Sequence, residues 1–127
     1  MQNLDEQTNC PVSDILRQVM DIWSVGVLLL LRQGKRRFSE ILRQLPGNIS
    51  KRMLSKTLRS LEEYGLIDRT VYPTKPPSVV YELSALGHSF LPLLAQLEQW
   101  AIDHQPQVAS ARQAFQLSTE RDMWQAK

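Results

Sequence analysis

Residues 50–83 read SKRMLSKTLRSLEEYGLIDRTVYPTKPPSVVYEL, and the order of structural signals in this stretch decides the fold. Its first part predicts a helix that Ser50 caps and Gly65 ends. At about 100° per residue, three leucines fall within roughly 60° of one another, and the polar side opposite them spans about 100°. The leucines are Leu54, Leu58 and Leu61, and the opposite side carries Arg52, Ser55, Lys56 and Arg59. One face of this helix is therefore expected to be core and the other basic.

A proline-rich hairpin follows this helix. The runs LIDRTVY and SVVYEL are rich in β-branched and aromatic residues and predict two strands. Between them lies PTKPP, and its three prolines belong in a loop or at strand ends because proline cannot donate a hydrogen bond to a sheet ladder. Residues 72–81, YPTKPPSVVY, thus predict a stiffened loop with Lys75 at its tip.

Upstream of residue 50 the sequence predicts three further helices. The first runs from about Ser13 to Met20, and the second is capped by Ser24 and stopped by Gly34. The third is short, with Ser39 as its cap and an end at Pro46 and Gly47. A short helix, a glycine-containing turn and a longer helix are the pattern of a helix-turn-helix. With the hairpin added, the expected fold is a winged helix-turn-helix, mainly α with a small β-hairpin.

Downstream of the hairpin, Ser84 is expected to cap a long helix, which Pro92 should kink or divide near Ser89. Pro106 should separate this helix from residues 105–127, a tail that is helix-permissive but poorly patterned. The apolar stripe of the long helix is wider than one small domain needs to cover its core. It either packs against another copy of the chain or folds back on its own domain. The stripe consists of Leu86, Phe90, Leu93, Leu94, Leu97 and Trp100 or Ala101.

Basic residues are concentrated in one part of the chain. Between residues 32 and 59, nine basic residues stand against one acid, Glu40, although the formal net charge is only +2. Phosphate contacts by Lys and Arg release counterions, so this asymmetry favours a DNA-binding face. A solvated helix would more often alternate charges at i and i+4, and the helix after Ser50 has no acid before Glu62. The alternative is a winged-helix protein–protein interaction module without direct DNA binding, which would more often offer apolar anchors.

The composition disfavours several other classes of protein. A length of 127 residues predicts one domain after a flexible segment over residues 1–9, and no apolar run approaches the roughly 20 residues that cross a bilayer. The N-terminus carries no secretory signal, so a cytoplasmic location without membrane contact is expected. One cysteine and two histidines at a spacing of sixteen residues predict no metal site and no cofactor. Since no catalytic constellation stands out either, an enzyme is not expected.

Short motifs run along most of the chain: CPV at 10–12, Trp23, RRFSEI at 36–41, LPGNIS at 45–50, and the segment from LSKTLRS to ELSALG at 54–87. Together they resemble the motifs of HxlR-type, MarR-like winged-helix transcriptional regulators of bacteria. The resemblance covers residues 10–104 as a DNA-binding and dimerisation domain, and residues 105–127 carry no part of it. The chain departs from the family at Asp21 and Ile22, where Gly-Lys is common.

The resemblance implies a homodimer whose first helix and long C-terminal helix form the contact between copies. The recognition helix, residues 50–64, would enter the major groove, and the wing, residues 72–81, would bring Lys75 to the flanking backbone or minor groove. Two such helices related by a dyad would lie about 34 Å apart, or a multiple of it, and favour an inverted-repeat operator in double-stranded DNA. The implied base contacts are Ser50, Lys51, Arg52, Ser55, Lys56 and Arg59, and the implied phosphate contacts are Arg36 and Arg37.

Cys10 occupies a position that some members of this family use as a thiol sensor. A reactive thiolate needs positive charge nearby, whereas Asp5, Glu6 and Asp14 would disfavour it if they lie close. A passive thiol is the alternative, and we expect weak or no redox control. The effector, whether a small molecule or a redox signal, stays open.

Overall fold

The computed structural model describes residues 11–125, with side chains from Asp14 onward, and this part of the chain is mainly helical with one small sheet. The residues up to Leu94 form one compact unit, and those from Ala95 onward form a second. The predictions for residues 1–9 and for Cys10 fall outside the described range. In chain order the elements are α1 (Pro11–Val19), α2 (Ile22–Leu31), β1 (Arg36–Arg37), α3 (Phe38–Gln44), α4 (Lys51–Glu63), β2 (Ile67–Tyr72), β3 (Ser78–Leu83) and α5 (Ala85–Gln125).

The core of the first unit is aliphatic and includes much of α2. Val27, Leu28 and Leu31 are buried, in agreement with the unbroken apolar run of that helix. Full burial of one such side chain stabilises a fold by about 1.5–3 kcal/mol, so the shared core holds the helices and the sheet together. The other buried apolar residues are Val19, Ile41, Leu45, Ile49, Leu54, Leu58, Leu61, Leu66, Ile67, Tyr81, Leu83 and Leu94.

The start of α2 differs from the sequence prediction. Asp21 caps the helix, and its Oδ1 accepts the N–H groups of Trp23 at 3.0 Å and Ser24 at 2.9 Å. Ser24, which was predicted as the cap, lies buried inside the helix and donates its hydroxyl to Asp21 Oδ2 at 2.7 Å. Asp and Ser are caps of similar strength, so the pattern did not separate them. The carboxylate prevails because its two oxygens satisfy three donors at once.

The sheet has three strands in the order β1-β3-β2, whereas the sequence predicted only a hairpin. That hairpin is confirmed, because β2 and β3 pair antiparallel from Ile67 opposite Leu83 to Tyr72 opposite Ser78. The added strand, β1, pairs antiparallel with the other edge of β3. A two-residue strand is too short to produce an alternating pattern, so the sequence gave no sign of it.

Pairing of β1 also moves the start of α3. The backbone of Arg37 is extended, and the helix begins directly after it at Phe38, ahead of the predicted cap Ser39. The Arg37 N–H donates to Glu40 Oε1 at 3.1 Å, so a carboxylate inside the first turn satisfies the donor that precedes the helix. The predicted end of the helix before Pro46 agrees with the structure.

Ser84 fixes the start of α5, as predicted. Its Oγ accepts the Gly87 N–H at 3.0 Å, and its carbonyl accepts the His88 N–H at 2.9 Å. The same hydroxyl donates to the Gly65 carbonyl at 2.5 Å, while the Ser84 N–H donates to the Leu66 carbonyl at 3.1 Å. Ser84 therefore joins the first turn of α5 to the residues that follow α4.

The long helix is not divided at either proline: of the two outcomes predicted for Pro92, division is wrong, and so is the predicted separation of residues 105–127 at Pro106. One helix runs from Ala85 to Gln125, through both Pro92 and Pro106, so residues 105–125 are helical. A proline in a helix interior costs about 3 kcal/mol, because it removes one hydrogen bond and crowds one carbonyl. The helical bonds on either side are kept, and near Pro92 the buried Leu94 adds packing. No helix in the described range is long and apolar enough to cross a membrane.

Candidate nucleic-acid interface

α4 separates an apolar face from a basic one, as its sequence predicts. Its three leucines are buried at the core, and the buried Thr57 completes the inward face. Ser50 caps the helix, and its Oγ accepts the Met53 N–H at 3.0 Å. The outward face is exposed and carries Lys51, Arg52, Ser55, Lys56 and Arg59. The residues of this helix that were predicted as contacts are therefore exposed, and so is Ser50 directly before it.

The turn between α3 and α4 depends on two residues with left-handed backbone. Gly47 has φ of +98° and Asn48 has φ of +54°, a region that glycine and asparagine tolerate best. A Cβ at Gly47 would lie 3.1 Å from Cη2 of Trp23, so the turn packs directly on the indole ring. The tryptophan of α2 thereby supports the turn that positions α4.

The wing consists of the ends of β2 and β3 and the loop between them. Thr74 organises its tip, because its N–H donates to the Tyr72 carbonyl and its hydroxyl to the Pro76 carbonyl, each at 2.8 Å. Lys75 lies exposed beside these bonds. Local hydrogen bonds and prolines, rather than burial, thus shape the loop that presents this cation.

The two arginines of β1 have different surroundings. Arg36 is half-buried, and its Nε donates to Gln44 Oε1 at 3.2 Å. Its Nη1 donates to the carbonyls of Gly34 at 3.2 Å and Lys35 at 2.9 Å. Arg37 is exposed. Because Arg36 already uses three of the five donors of a guanidinium, Arg37 is the better placed of the two to bind a phosphate.

Two adjoining grooves lie between the wing and the start of α3. Arg37 and Thr74 line both of them. Lys35 and Arg36 line the first groove, and Lys75 lines the second. The cations of β1 and of the wing tip therefore border the same part of the surface. Lys35 was counted among the basic residues of the sequence but was not predicted as a contact.

A third groove connects α4 with the sheet, and the sequence prediction missed one of its cations. Ser55 and Arg59 of α4 line it together with Arg69 of β2. Phe38 lines this groove and also the groove that Lys75 lines. The basic residues of α4 therefore adjoin those of β1. Arg69 follows the buried Ile67 by two residues, and alternation along a strand puts both on one face. That alternation is the signal that would have identified Arg69.

Residues 14–125 contain no cluster of three or more His, Cys, Asp or Glu side chains that is suited to a metal ion. What they do contain is a helix hairpin with a basic second helix, followed by an antiparallel hairpin with a basic tip. These features define a winged helix-turn-helix protein.

The chain belongs to the family described as HxlR-like helix-turn-helix, whose model matches residues 18–109. It is 37% identical over 103 residues to the HTH-type transcriptional regulator YtfH of Escherichia coli, covering 81% of each chain. An HTH-type transcriptional regulator of Methanothermobacter thermautotrophicus is 45% identical over 96 residues, which is 76% of this chain and 72% of the relative. The protein is thus a DNA-binding transcriptional regulator of the HxlR type.

Solved structures agree with this assignment. The transcriptional regulator YtfH of Salmonella typhimurium superposes with a TM-score of 0.74 at 37% identity, over 83% of this chain and 93% of that one. The redox regulator HypR in its reduced form superposes with a TM-score of 0.73 at 33% identity, over 80% of this chain and 99% of that one.

Proposed function

We propose that the protein acts as a homodimer that binds an inverted-repeat operator in double-stranded DNA. The recognition helix, residues 50–64, enters the major groove, and the wing, residues 72–81, rests on the flanking backbone or minor groove. The single observation that carries this proposal is the exposed basic face of α4 opposite a fully buried leucine face. A helix anchored in this way presents its cations as a rigid unit, which the reading of base edges requires.

The cations are proposed to make different contacts with DNA, according to their positions. Arg52, Lys56 and Arg59 lie on the helix that enters the groove, where arginine reads guanine through two parallel hydrogen bonds. Arg37 and Lys75 lie beside the helix on β1 and the wing, so they bind phosphates and fix the register on the duplex. Arg36 contributes mainly by holding β1 against the end of α3 through Gln44.

The proposed dimer contact uses α1 and the long helix α5. α1 exposes Ile15 and Leu16, and the part of α5 in the first unit exposes Leu86 and Leu93. Large apolar side chains that a single chain leaves in water are commonly buried against a partner. A second copy supplies that partner and places two recognition helices about 34 Å apart, or a multiple of it, on one side of the duplex.

The alternative function, a winged-helix module that binds another protein, has less support. A protein-binding face would be centred on apolar anchors, whereas Met53 is the one large apolar side chain exposed on the described surface of α4. The two functions also differ in their response to salt. Binding to duplex DNA weakens steeply as salt rises, because each phosphate contact releases a counterion.

Substitution of Arg52 by alanine tests the proposal. An operator is first selected from random duplexes with the full-length protein, and affinities are then measured by gel shift at several salt concentrations. Loss of a base-reading arginine is expected to cost about 1–3 kcal/mol, or roughly 5- to 150-fold in affinity, and to relax specificity at one position.

Arg121→Ala is the matched control, because Arg121 is an exposed arginine outside the basic face. It should leave operator affinity unchanged, and circular dichroism should show that both variants are folded. Equal affinity of Arg52→Ala and the parent would refute the assignment of α4 as the recognition helix. Absence of any salt-dependent binding to duplex DNA would instead favour the protein-interaction module.

The chain is similar to the redox regulator HypR. A redox signal is therefore one class of effector that we propose, and a small molecule is the other. Cys10 is the one cysteine of the chain, and its acidic sequence neighbours favour weak control. Operator binding with and without an oxidant distinguishes the two classes.

A further inference from the structure

Arg69 lies on the face of the sheet that packs on the core. Residues that are directly opposite in an antiparallel pair point to the same face, and alternate residues of one strand share that face. Arg69 pairs with Tyr81, and two residues away on each strand Ile67 pairs with Leu83. Ile67, Leu83 and Tyr81 are all buried. Arg69 itself is exposed, so it lies where the core face of the sheet meets solvent.

The groove between α4 and the sheet brings Arg69 together with three residues of the recognition helix. These are Ser55, Arg59 and Glu62, whose spacing of four and three residues puts them on one side of α4. In the described part of the chain, neither Arg59 nor Arg69 donates a hydrogen bond or forms an ion pair. The groove is therefore bordered by a hydroxyl and by two guanidinium groups whose donors no described residue uses.

Such a groove is suited to the oxygens of a phosphate. A guanidinium offers five donors and binds phosphate through two parallel hydrogen bonds, and serine hydroxyls also donate to phosphates in complexes with DNA. The surroundings of Arg36 are different, because its donors already bind Gln44 and two carbonyls. Arg69 thus keeps the binding capacity that Arg36 has lost.

The proposed docking of α4 and the wing determines which part of the duplex passes over this groove. In B-DNA the major groove and the next minor groove are separated by one sugar-phosphate backbone. With α4 in the major groove and the wing on the flanking side, that backbone crosses the surface between the helix and the wing. Arg69 lies on this surface, because β2 leads from α4 into the wing and Arg69 lines the groove beside α4.

We propose that Arg69, together with the Ser55 hydroxyl, binds phosphates of the backbone that separates the major groove from the flanking minor groove. The inference rests on the proposed binding of DNA by α4, and it adds a contact that lies outside both the recognition helix and the wing tip. Arg69 belongs to a paired strand, so its charge is carried by a rigid element. It fixes the position of α4 on the duplex and adds affinity for every sequence, since phosphate contacts do not distinguish bases.

Glu62 limits this phosphate site on one side. It is the one acid among the residues that line the groove, and its carboxylate repels phosphates that approach the C-terminal end of α4. The alternative role of Arg69 is to neutralise Glu62 without any contact to DNA. The two roles predict different results when Glu62 is made neutral.

Arg69→Ala, made in the parent and in a Glu62→Gln background, distinguishes the two roles. Affinities for an operator selected with the full-length parent, and for an unrelated duplex, are measured by fluorescence anisotropy at several salt concentrations. Arg69→Ala is expected to weaken binding to both duplexes about tenfold and to lower the slope of log affinity against log salt by about 1. The same loss is expected in the Glu62→Gln background. A loss confined to the parent background would mean that Arg69 only neutralises Glu62, and it would overturn the proposal.

Two controls separate the lost contact from other effects of the substitution. Thr70→Ala changes the next residue of β2, whose side chain points to the opposite face of the sheet. Arg121→Ala removes an exposed arginine outside the basic face. Both controls should bind DNA as the parent does, and circular dichroism should show that all variants are folded. An Arg69→Ala protein with the affinity and salt slope of the controls would refute the contact.

Ethylation interference locates the contact on the DNA. In the parent, ethylation of phosphates between the major groove and the flanking minor groove should reduce binding. In Arg69→Ala one or two of these phosphates should lose their effect, while those bound by Arg37 and Lys75 keep theirs. An unchanged pattern, or a change only at other phosphates, overturns the proposal for Arg69. A parent that binds no duplex would instead overturn the proposed function, so the two failures are distinguishable.

Discussion

Gly87, in the first turn of α5, is buried against the backbone that follows α4, and its replacement by alanine tests how this junction is built. A Cβ at this position would lie 2.1 Å from the Leu66 carbonyl oxygen and 3.1 Å from Leu83 Cδ2. Cβ contacts under 3.0 Å are essentially never seen. The two backbone segments must therefore separate by about 0.9 Å, the difference between 2.1 and 3.0 Å.

The expected loss in the free energy of unfolding is about 3 kcal/mol. Overpacking of a well-packed site costs up to about 3 kcal/mol, and this site is at the upper end because backbone stands on both sides. The Leu66 carbonyl also accepts the Ser84 N–H at 3.1 Å, and disturbing that bond costs about 1 kcal/mol. The higher helix propensity of alanine offsets about 1 kcal/mol of this loss in the free energy of unfolding.

Urea unfolding followed by circular dichroism, at one fixed protein concentration, measures this loss. Gly26→Ala is the matched control, because Gly26 is also a helical glycine but an added Cβ would meet only Leu45 Cδ2, at 3.3 Å. A flexible side chain can move, so this control should change stability by less than about 1 kcal/mol. If Gly87→Ala is as stable as the parent, or if both variants lose the same amount, the close-contact explanation fails.

Three further predictions concern the wing, the residue that follows α4 and the thiol. Lys75→Ala should weaken binding to all DNA sequences alike and lower the slope of log affinity against log salt by about 1, whereas a change confined to one sequence would contradict phosphate binding. Burial and the nearby Asp14 raise the pKa of Tyr64; Asp14→Asn should lower that pKa in an absorbance titration. The stability that is lost as the pH rises above the pKa of the unfolded chain should then be smaller and the loss complete at lower pH, because folding favours the neutral phenol less. The parent and Cys10→Ala should respond equally to diamide in gel shift, and a thiol-dependent loss of binding would show that Cys10 is a sensor.

The parts of the interface that repeat along one element were predictable from sequence. The two faces of α4 follow from a 3.6-residue period, and the wing follows from strand-forming runs on either side of a proline cluster. Ser50 and Ser84 were identified as caps because each directly precedes its helix and offers a side-chain acceptor.

Contacts between residues that are distant in the sequence were not predictable in the same way. Arg36 and Arg37 look equivalent in the sequence, yet pairing of β1 with β3 leaves Arg36 bonded to Gln44 and Arg37 exposed. Alternation puts Arg69 on the same face of β2 as Ile67, but only the packing of β2 next to α4 makes that face border the groove. A local pattern carries no information about which distant backbone will supply a partner.

The sequence by itself determined the family, the order of the elements and the face of α4 that meets solvent, because periodicity and capping are properties of neighbouring residues. Only the tertiary structure decided that Asp21 rather than Ser24 starts α2, that β1 joins the sheet, and that α5 continues through its prolines. In each of these cases two local conformations are close in free energy. The choice between them falls to packing and hydrogen bonds that form only when the chain has folded.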